Sequence, residues 1–186
     1  RYQLKRALMD LGPEGYPFEK FVEIIFKHEG YSTENGVILQ GACISHEVDV
    51  LASKEGELIT IECKFHSDVG RKTRVKIPLY IHSRFKDIIA NTKNNAIPTN
   101  TCIVTNTRFT ADAEQYSKCY DIQLLSWNYP KGKALKDKID RYKIYPITVS
   151  NQLTSFEKEK LIEADCLHCA DLLLKKDLLA TIGIKG

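Results

Sequence analysis

Apolar residues recur with two different periods along the chain. Phe18, Phe21, Val22 and Ile25 fall at helical spacing behind Tyr16-Pro17, with Glu19 and Glu23 on the opposite face. The period predicts an amphipathic helix. Pro17 sits in its first turn, where a missing N–H costs little, and Gly30 ends it as a C′ glycine does. Ahead of it, Gly12-Pro13-Glu14-Gly15 reads as a loop. Further on the period drops to two, predicting strands over about 46–53 and 57–65 with a turn at Glu55-Gly56. A helix over about 75–90 is expected despite Pro78, then a strand at 101–105, a helix at 110–118 and a strand at 122–127. That alternation predicts an α/β core closing near Trp127. Asn128-Tyr129-Pro130-Lys131-Gly132 marks a boundary. Beyond it, Thr154 and Glu157 form a capping box ahead of one helix, and Leu172, Leu173, Leu174, Leu178 and Leu179 supply another that stops near Gly183. The expected organisation is a helix or linker over 1–13, a domain over 14–130 and a helical extension over 131–186.

Composition narrows this picture only a little. With 186 residues, 43% of them hydrophobic, the chain can bury a core of its own. It has no apolar run of the roughly 18 residues that a membrane span requires, and no secretory leader. A soluble cytoplasmic protein is expected, and the start at Arg1 rather than methionine suggests a piece of a longer chain. Of the six cysteines, Cys63 and Cys102 lie inside apolar strands, as reduced cysteines acting as small hydrophobes do. Cys166-Leu167-His168-Cys169 has the spacing of half a zinc site, but no second ligand pair lies nearby, and two helix cysteines at core spacing explain it better. The net charge of +3 identifies no partner by itself. Arg71, Lys72, Arg74 and Lys76 are concentrated within six residues, which suits either a solvated loop or a surface for a polyanion.

The candidate chemistry lies on the hairpin. A two-residue loop at Glu55-Gly56 pairs Lys54 with Glu57, and the same register sets Asp49 across from Glu62. Lys64 follows on the Glu62 face, while Val48, Val50, Ile59, Ile61, Cys63 and Phe65 point to the other. A one-residue slip would undo the arrangement. Two adjacent carboxylates resist joint ionisation, and a hard divalent cation such as Mg²⁺ relieves that conflict. With a lysine beside it, such a set suffices for phosphodiester hydrolysis. The plainer alternative is that Thr60, Glu62 and Lys64 form the wet face of an amphipathic strand.

Asp49 followed by Glu62-Cys63-Lys64 at the end of a hairpin resembles the PD-(D/E)XK nuclease motif, and the surroundings resemble the Mrr-type restriction endonucleases. Gly15-Tyr16-Pro17-Phe18-Glu19 is similar to that family's opening helix. Ile103-Val104-Thr105-Asn106, then Phe109-Thr110 and Ala113, resemble its third strand and following helix, and Leu124-Leu125 its closing strand. The resemblance spans about Glu14 to Trp127. It implies a three-layer α/β/α restriction-endonuclease-like core with a mixed central sheet, here followed by the helical C-terminal extension. It also implies a Mg²⁺- or Mn²⁺-dependent DNA endonuclease. Asp49, Glu62 and the Cys63 carbonyl would hold the metal, Lys64 would be the catalytic lysine, and Glu19 would complete the site. For Glu19 a solvent-facing helix residue paired with Glu23 or Lys27 stays equally open. DNA phosphates would meet Arg71, Lys72, Arg74, Lys76 and Arg84.

The pattern departs from the family in two places. Ser45-His46-Glu47-Val48-Asp49 stands where a glycine- and aspartate-rich run is usual, and Tyr80, His82 and Arg84 stand where a glutamine motif is usual. His46 is either an auxiliary site residue or a structural histidine at a strand end. The aspartate lies thirteen residues before the glutamate, which also resembles archaeal Holliday junction resolvases, homodimers that prefer branched DNA. An inactive DNA-binding or sensor module is the third reading. Arg1 to Leu11 is similar to the end of an ATP-cone domain, which would place a nucleotide-binding domain upstream in the full chain.

Overall fold

Glu55 and Gly56 both take positive φ, 50° and 87°, the backbone of a two-residue type I′ hairpin turn. In the computed structural model, which describes residues 2–93, 96–174, 179 and 183, this turn joins β2 (Ser45–Lys54) to β3 (Glu57–Lys64). Pairing runs from Lys54↔Glu57 to Val50↔Ile61, the expected register. It stops there, so Asp49 escapes the ladder.

A strand that the hydrophobic pattern does not announce lies on the outer side of the hairpin. β1 (Ser32–Gln40) pairs antiparallel with β2, alternating between exposed and half-buried positions and contributing no fully buried residue. An edge strand of that kind has no apolar alternation to read. Gly36, in the left-handed region at φ 62°, falls where the pairing skips from Asn35↔Val50 to Val37↔Val48. The skipped position faces Asp49, which therefore stands at a gap on both sides. β1 also corrects the expectation for Glu23. Instead of lying on an outer face, Glu23 is buried, accepts a 2.9 Å hydrogen bond from Thr33 and pairs with Lys27 at 2.7 Å.

β5 (Asn100–Thr105) and β7 (Gln123–Leu125) extend the sheet in parallel, giving the mixed order β1-β2-β3-β5-β7. One face packs against α2 (Tyr16–His28). Phe18, Phe21, Val22 and Ile25 meet Val50, Ile61 and Val104 there, joined by Leu8 from α1 (Tyr2–Met9) and by Leu135 and Ile139 from α5 (Leu135–Tyr142). Phe18 and Phe21 are wholly buried, and truncating either to alanine should cost roughly 3–5 kcal/mol. The other face packs against α3 (Lys76–Ala90) and α4 (Ala111–Cys119), through Ile81 and Ala113 against Ile103 and Leu124. These three layers form a restriction-endonuclease-like α/β/α core.

Pro78 is compatible with α3 because it lies in the first turn, where backbone N–H groups have no acceptor within the helix. A short parallel pair, β4 (Lys72–Thr73) with β6 (Arg108–Phe109), flanks the sheet. Past the core, α6 (Ser155–Glu163) carries the expected capping box. Thr154 donates its backbone N–H to Glu157 at 2.7 Å and accepts the Glu157 N–H at 3.3 Å. α7 (Cys169–Leu174) begins the last expected helix, and most of its continuation towards Gly183, residues 175–178 and 180–182, lies outside the described residues. Cys166 and Cys169 pack with Ile147 and Leu161 in a small apolar cluster, and His168 pairs with Asp171 at 3.2 Å.

Candidate active site

The gap in the ladder is filled by a side chain. The Asp49 carboxylate reaches across the missing pair, and its Oδ2 accepts the Cys63 backbone N–H at 2.6 Å. One step along β3, Glu62 is 4% exposed. Its Oε1 meets Lys64 Nζ at 2.5 Å and its Oε2 meets Arg84 Nη2 at 2.5 Å. The wet-face alternative for this strand fails, because Thr60 and Glu62 are both buried beneath the second helical layer.

Electrostatics mark these carboxyls as strained neighbours. Burial first, then the Glu62 charge, pushes Asp49 up to about 6, against the pull of the Cys63 N–H, Lys64 and Arg84. Glu19, half-buried on α2, is raised to about 7 by burial and then by Asp49, Glu62 and Glu47, with Lys64 opposing. Glu19 is thus within electrostatic reach of the cluster, and Lys27 pairs with Glu23 rather than with it. Burial would lower the Lys64 pKa, but its bond to Glu62 and the surrounding negative charge win, and the net shift is upward. Asp49 and Glu19 are raised chiefly by burial and further by neighbouring negative charge, a repulsion that a divalent cation relieves.

The donor chemistry fits a hard cation: carboxylate oxygens from Asp49 and Glu62 would hold it, with the neighbouring Cys63 backbone carbonyl as a third oxygen. Among the described residues no three His, Cys, Asp or Glu side chains gather as a metal cluster. The fit therefore rests on two carboxylates and a backbone oxygen, completed by solvent.

Arg84 corrects the expectation that placed it on the DNA-facing surface. It is 7% exposed, turned inward from α3, donates to Glu62 and to the Glu47 carbonyl (3.0 Å), and lies 5.8 Å from the Tyr80 ring. Its place on the inner face of α3 decides this, and the spacing Ile81, Arg84, Ile88 is the local signal that sets it on the buried stripe. Arg71, Lys72, Arg74 and Lys76 are by contrast exposed. With Lys64 and His66 they line one concavity of about 730 Å³. The run is no free loop, since Lys72–Thr73 is held as β4 against β6.

Two further features lie outside what the motif reveals. Asn106 accepts the His66 N–H at 2.9 Å and donates to the His66 carbonyl at 2.8 Å, holding the chain just after Lys64 as a paired strand would. Thr105 adds a 2.7 Å bond to the Lys64 carbonyl. His46, open between two roles, ties β2 to α3 through a 2.8 Å contact with Asp87, whose carboxyl falls to about 2 chiefly through that bond.

A mixed five-stranded sheet between helical layers, with Asp, Glu and Lys gathered at the end of its hairpin, defines the restriction-endonuclease-like class. Residues 13–128 match the restriction endonuclease family of Mrr catalytic domains, and the chain belongs to that family. Residues 145–186 match the C-terminal part of the AF1548-like proteins. An uncharacterised protein of Archaeoglobus fulgidus is 32% identical over 163 residues, covering 87% of this chain and 90% of its own. The crystal structure of AF1548, a protein of unknown function, superimposes with a TM-score of 0.78 at 30% identity, covering 92% of this chain and 90% of that one. The restriction endonuclease MspJI bound to a 27-mer oligonucleotide is a looser likeness, with TM-score 0.43, 12% identity, and 82% and 32% of the two chains covered.

Proposed function

We propose that this protein is a divalent-metal-dependent DNA endonuclease of the Mrr-like restriction type. The observation that carries the reading is the cluster of Asp49, Glu62 and Lys64, whose lysine also lines a basic concavity. In this reading Asp49, Glu62 and the Cys63 carbonyl hold Mg²⁺ or Mn²⁺, with Glu19 beside them. The ion supplies Lewis-acid stabilisation of the scissile phosphate.

The side chains do the remaining work. Lys64 Nζ orients the attacking water and offsets negative charge that grows on the phosphate in the transition state. Glu19, electrostatically coupled to Asp49 and Glu62, completes the carboxylate set beside the ion, through a water or a second metal. Arg71, Lys72, Arg74 and Lys76 hold the DNA backbone without reading bases, as phosphate contacts do.

Incubation of plasmid DNA with the protein in Mg²⁺, Mn²⁺ or EDTA tests the reading. Nicking or linearisation with either metal, absent in EDTA and in Asp49→Asn, is expected. DNA binding without cleavage in every buffer would instead make the chain a sensor module. Cleavage restricted to four-way junctions would favour the resolvase-like alternative.

A further inference from the structure

Glu62 holds two cations of unlike character. Arg84 is buried, and its guanidinium bridges Glu62 Oε2 on β3 and the Glu47 carbonyl on β2. Withdrawing it would leave a buried carboxylate and a buried guanidinium both unpaired, which is costly. Lys64 is 34% exposed, is paired with Oε1 and lies at the rim of the basic concavity. Its ammonium is a point charge on a flexible stem and can swing into water at small cost.

The oxygens divide the same way. Asp49 Oδ2 is occupied by the Cys63 N–H and Glu62 Oε2 by Arg84. Asp49 Oδ1 and Glu62 Oε1 remain as the pair able to serve a cation, and Lys64 now sits on the second.

We propose that Arg84 is a fixed positioning residue that holds Oε2 of Glu62 inward, whereas Lys64 is a displaceable occupant of Oε1, the oxygen a divalent cation takes. This rests on the metal-dependent reading above. Arrival of the cation then frees the Lys64 ammonium to meet a phosphate, so metal loading and availability of the lysine are one event. Arg84 meets the Glu47 carbonyl and the Glu62 carboxylate with separate nitrogens of one rigid plane, a geometry that the single ammonium of a lysine does not reproduce.

Calorimetric titration with Mn²⁺, without DNA, separates the two roles by sign. Lys64→Met removes a competitor and should tighten Mn²⁺ binding by roughly threefold to fivefold, the range of a partly exposed ion pair. Arg84→Met should weaken it by on the order of tenfold, because Glu62 loses its orientation. If both cations acted only through charge, both substitutions would tighten binding. Unchanged or weaker binding by Lys64→Met overturns the displaceable role, and unchanged or tighter binding by Arg84→Met overturns the anchor. Should Arg84→Met fail to fold by circular dichroism, Arg84→Lys replaces it. That variant keeps the charge without the bridge and is expected to bind more weakly than wild type, and wild-type affinity would overturn the anchor. Wild-type protein that takes up no Mn²⁺ at millimolar concentration would remove the metal-dependent reading as well. Normal wild-type uptake with an unresponsive Lys64→Met would remove only this inference.

Discussion

The charges around Glu62 and those along Arg71–Lys76 belong to one continuous stretch of structure, yet their surroundings give them opposite uses. At Glu62, Lys64 and Arg84 each lie 2.5 Å from a carboxylate that is almost wholly buried. At the rim, Arg71, Lys72, Arg74 and Lys76 stand exposed around a concavity of about 730 Å³. Low dielectric turns charge into position, because every buried charge must find a partner. Water and salt turn exposed charge into tunable attraction. The contrast predicts that substitutions in the first region change chemistry and metal binding, and those in the second change DNA affinity without touching either.

Lys64→Ala tests the contrast most severely. Cleavage should fall by roughly 10²–10³-fold, the range for loss of one preorganised transition-state donor, while DNA affinity and Tm stay near wild type. Gel-based cleavage beside a binding titration measures both. Parallel loss of binding and cleavage would mean that Lys64 belongs with the rim.

Next in size is the response of the metal ligands. Asp49→Asn and Glu62→Gln should each remove most Mn²⁺ affinity, and the double variant should be little worse than either, because groups acting through one ion are not additive. Additive losses in calorimetry would assign the two carboxylates to separate sites.

For the rim, alanine at Arg71, Lys72, Arg74 and Lys76 together should weaken binding to all DNA sequences alike. The slope of log affinity against log salt should flatten by roughly 0.9 per lost duplex phosphate contact. A slope equal to wild type would leave the run as a solvated surface.

How much of this could be read from the chain depended on where the information lay. The hairpin register followed from local turn chemistry at Glu55-Gly56, so the placement of Asp49 near Glu62 and Lys64 needed nothing distant. Helix α2 followed from apolar spacing and terminal residues. β1 was invisible because a strand lying at a sheet edge, with Gly36 at its centre, needs no apolar alternation. The spacing of Ile81, Arg84 and Ile88 places Arg84 on the inner side of α3, but its partner Glu62 lies across the crossover, and the burial of Glu23 depends on Thr33 from β1. A basic residue at the apolar spacing of a helix signals a buried partner without saying which one. The Asn106 clamp on His66 is of the same kind, linking residues 40 apart in the chain.

The smallest expected effect concerns Glu19, at the border between the two regions, and its sign follows from proton linkage. In the folded, metal-free protein Glu19 titrates at about 7 and Asp49 at about 6, both raised from the ordinary 4.5 and 3.8. Well below the unfolded values, near pH 2–3, folded and unfolded chains carry these protons alike. Between there and pH 7 the folded chain keeps protons that the unfolded chain has released, so stability falls as pH rises through this window. Above pH 7 the carboxylates are ionised in both states and the whole penalty is present. Glu19→Gln removes its share, and because Glu19 is only half-buried the share is screened. The variant should therefore raise the metal-free Tm at pH 8 by roughly 2–4 °C and leave it nearly unchanged at pH 4. Saturating Mg²⁺ should shrink the gain at pH 8, since a bound cation already offsets the repulsion that the substitution relieves. Thermal unfolding at the two pH values, with and without the ion, gives the four numbers. An equal Tm shift at both pH values would place Glu19 with the solvated charges and take it out of the active site.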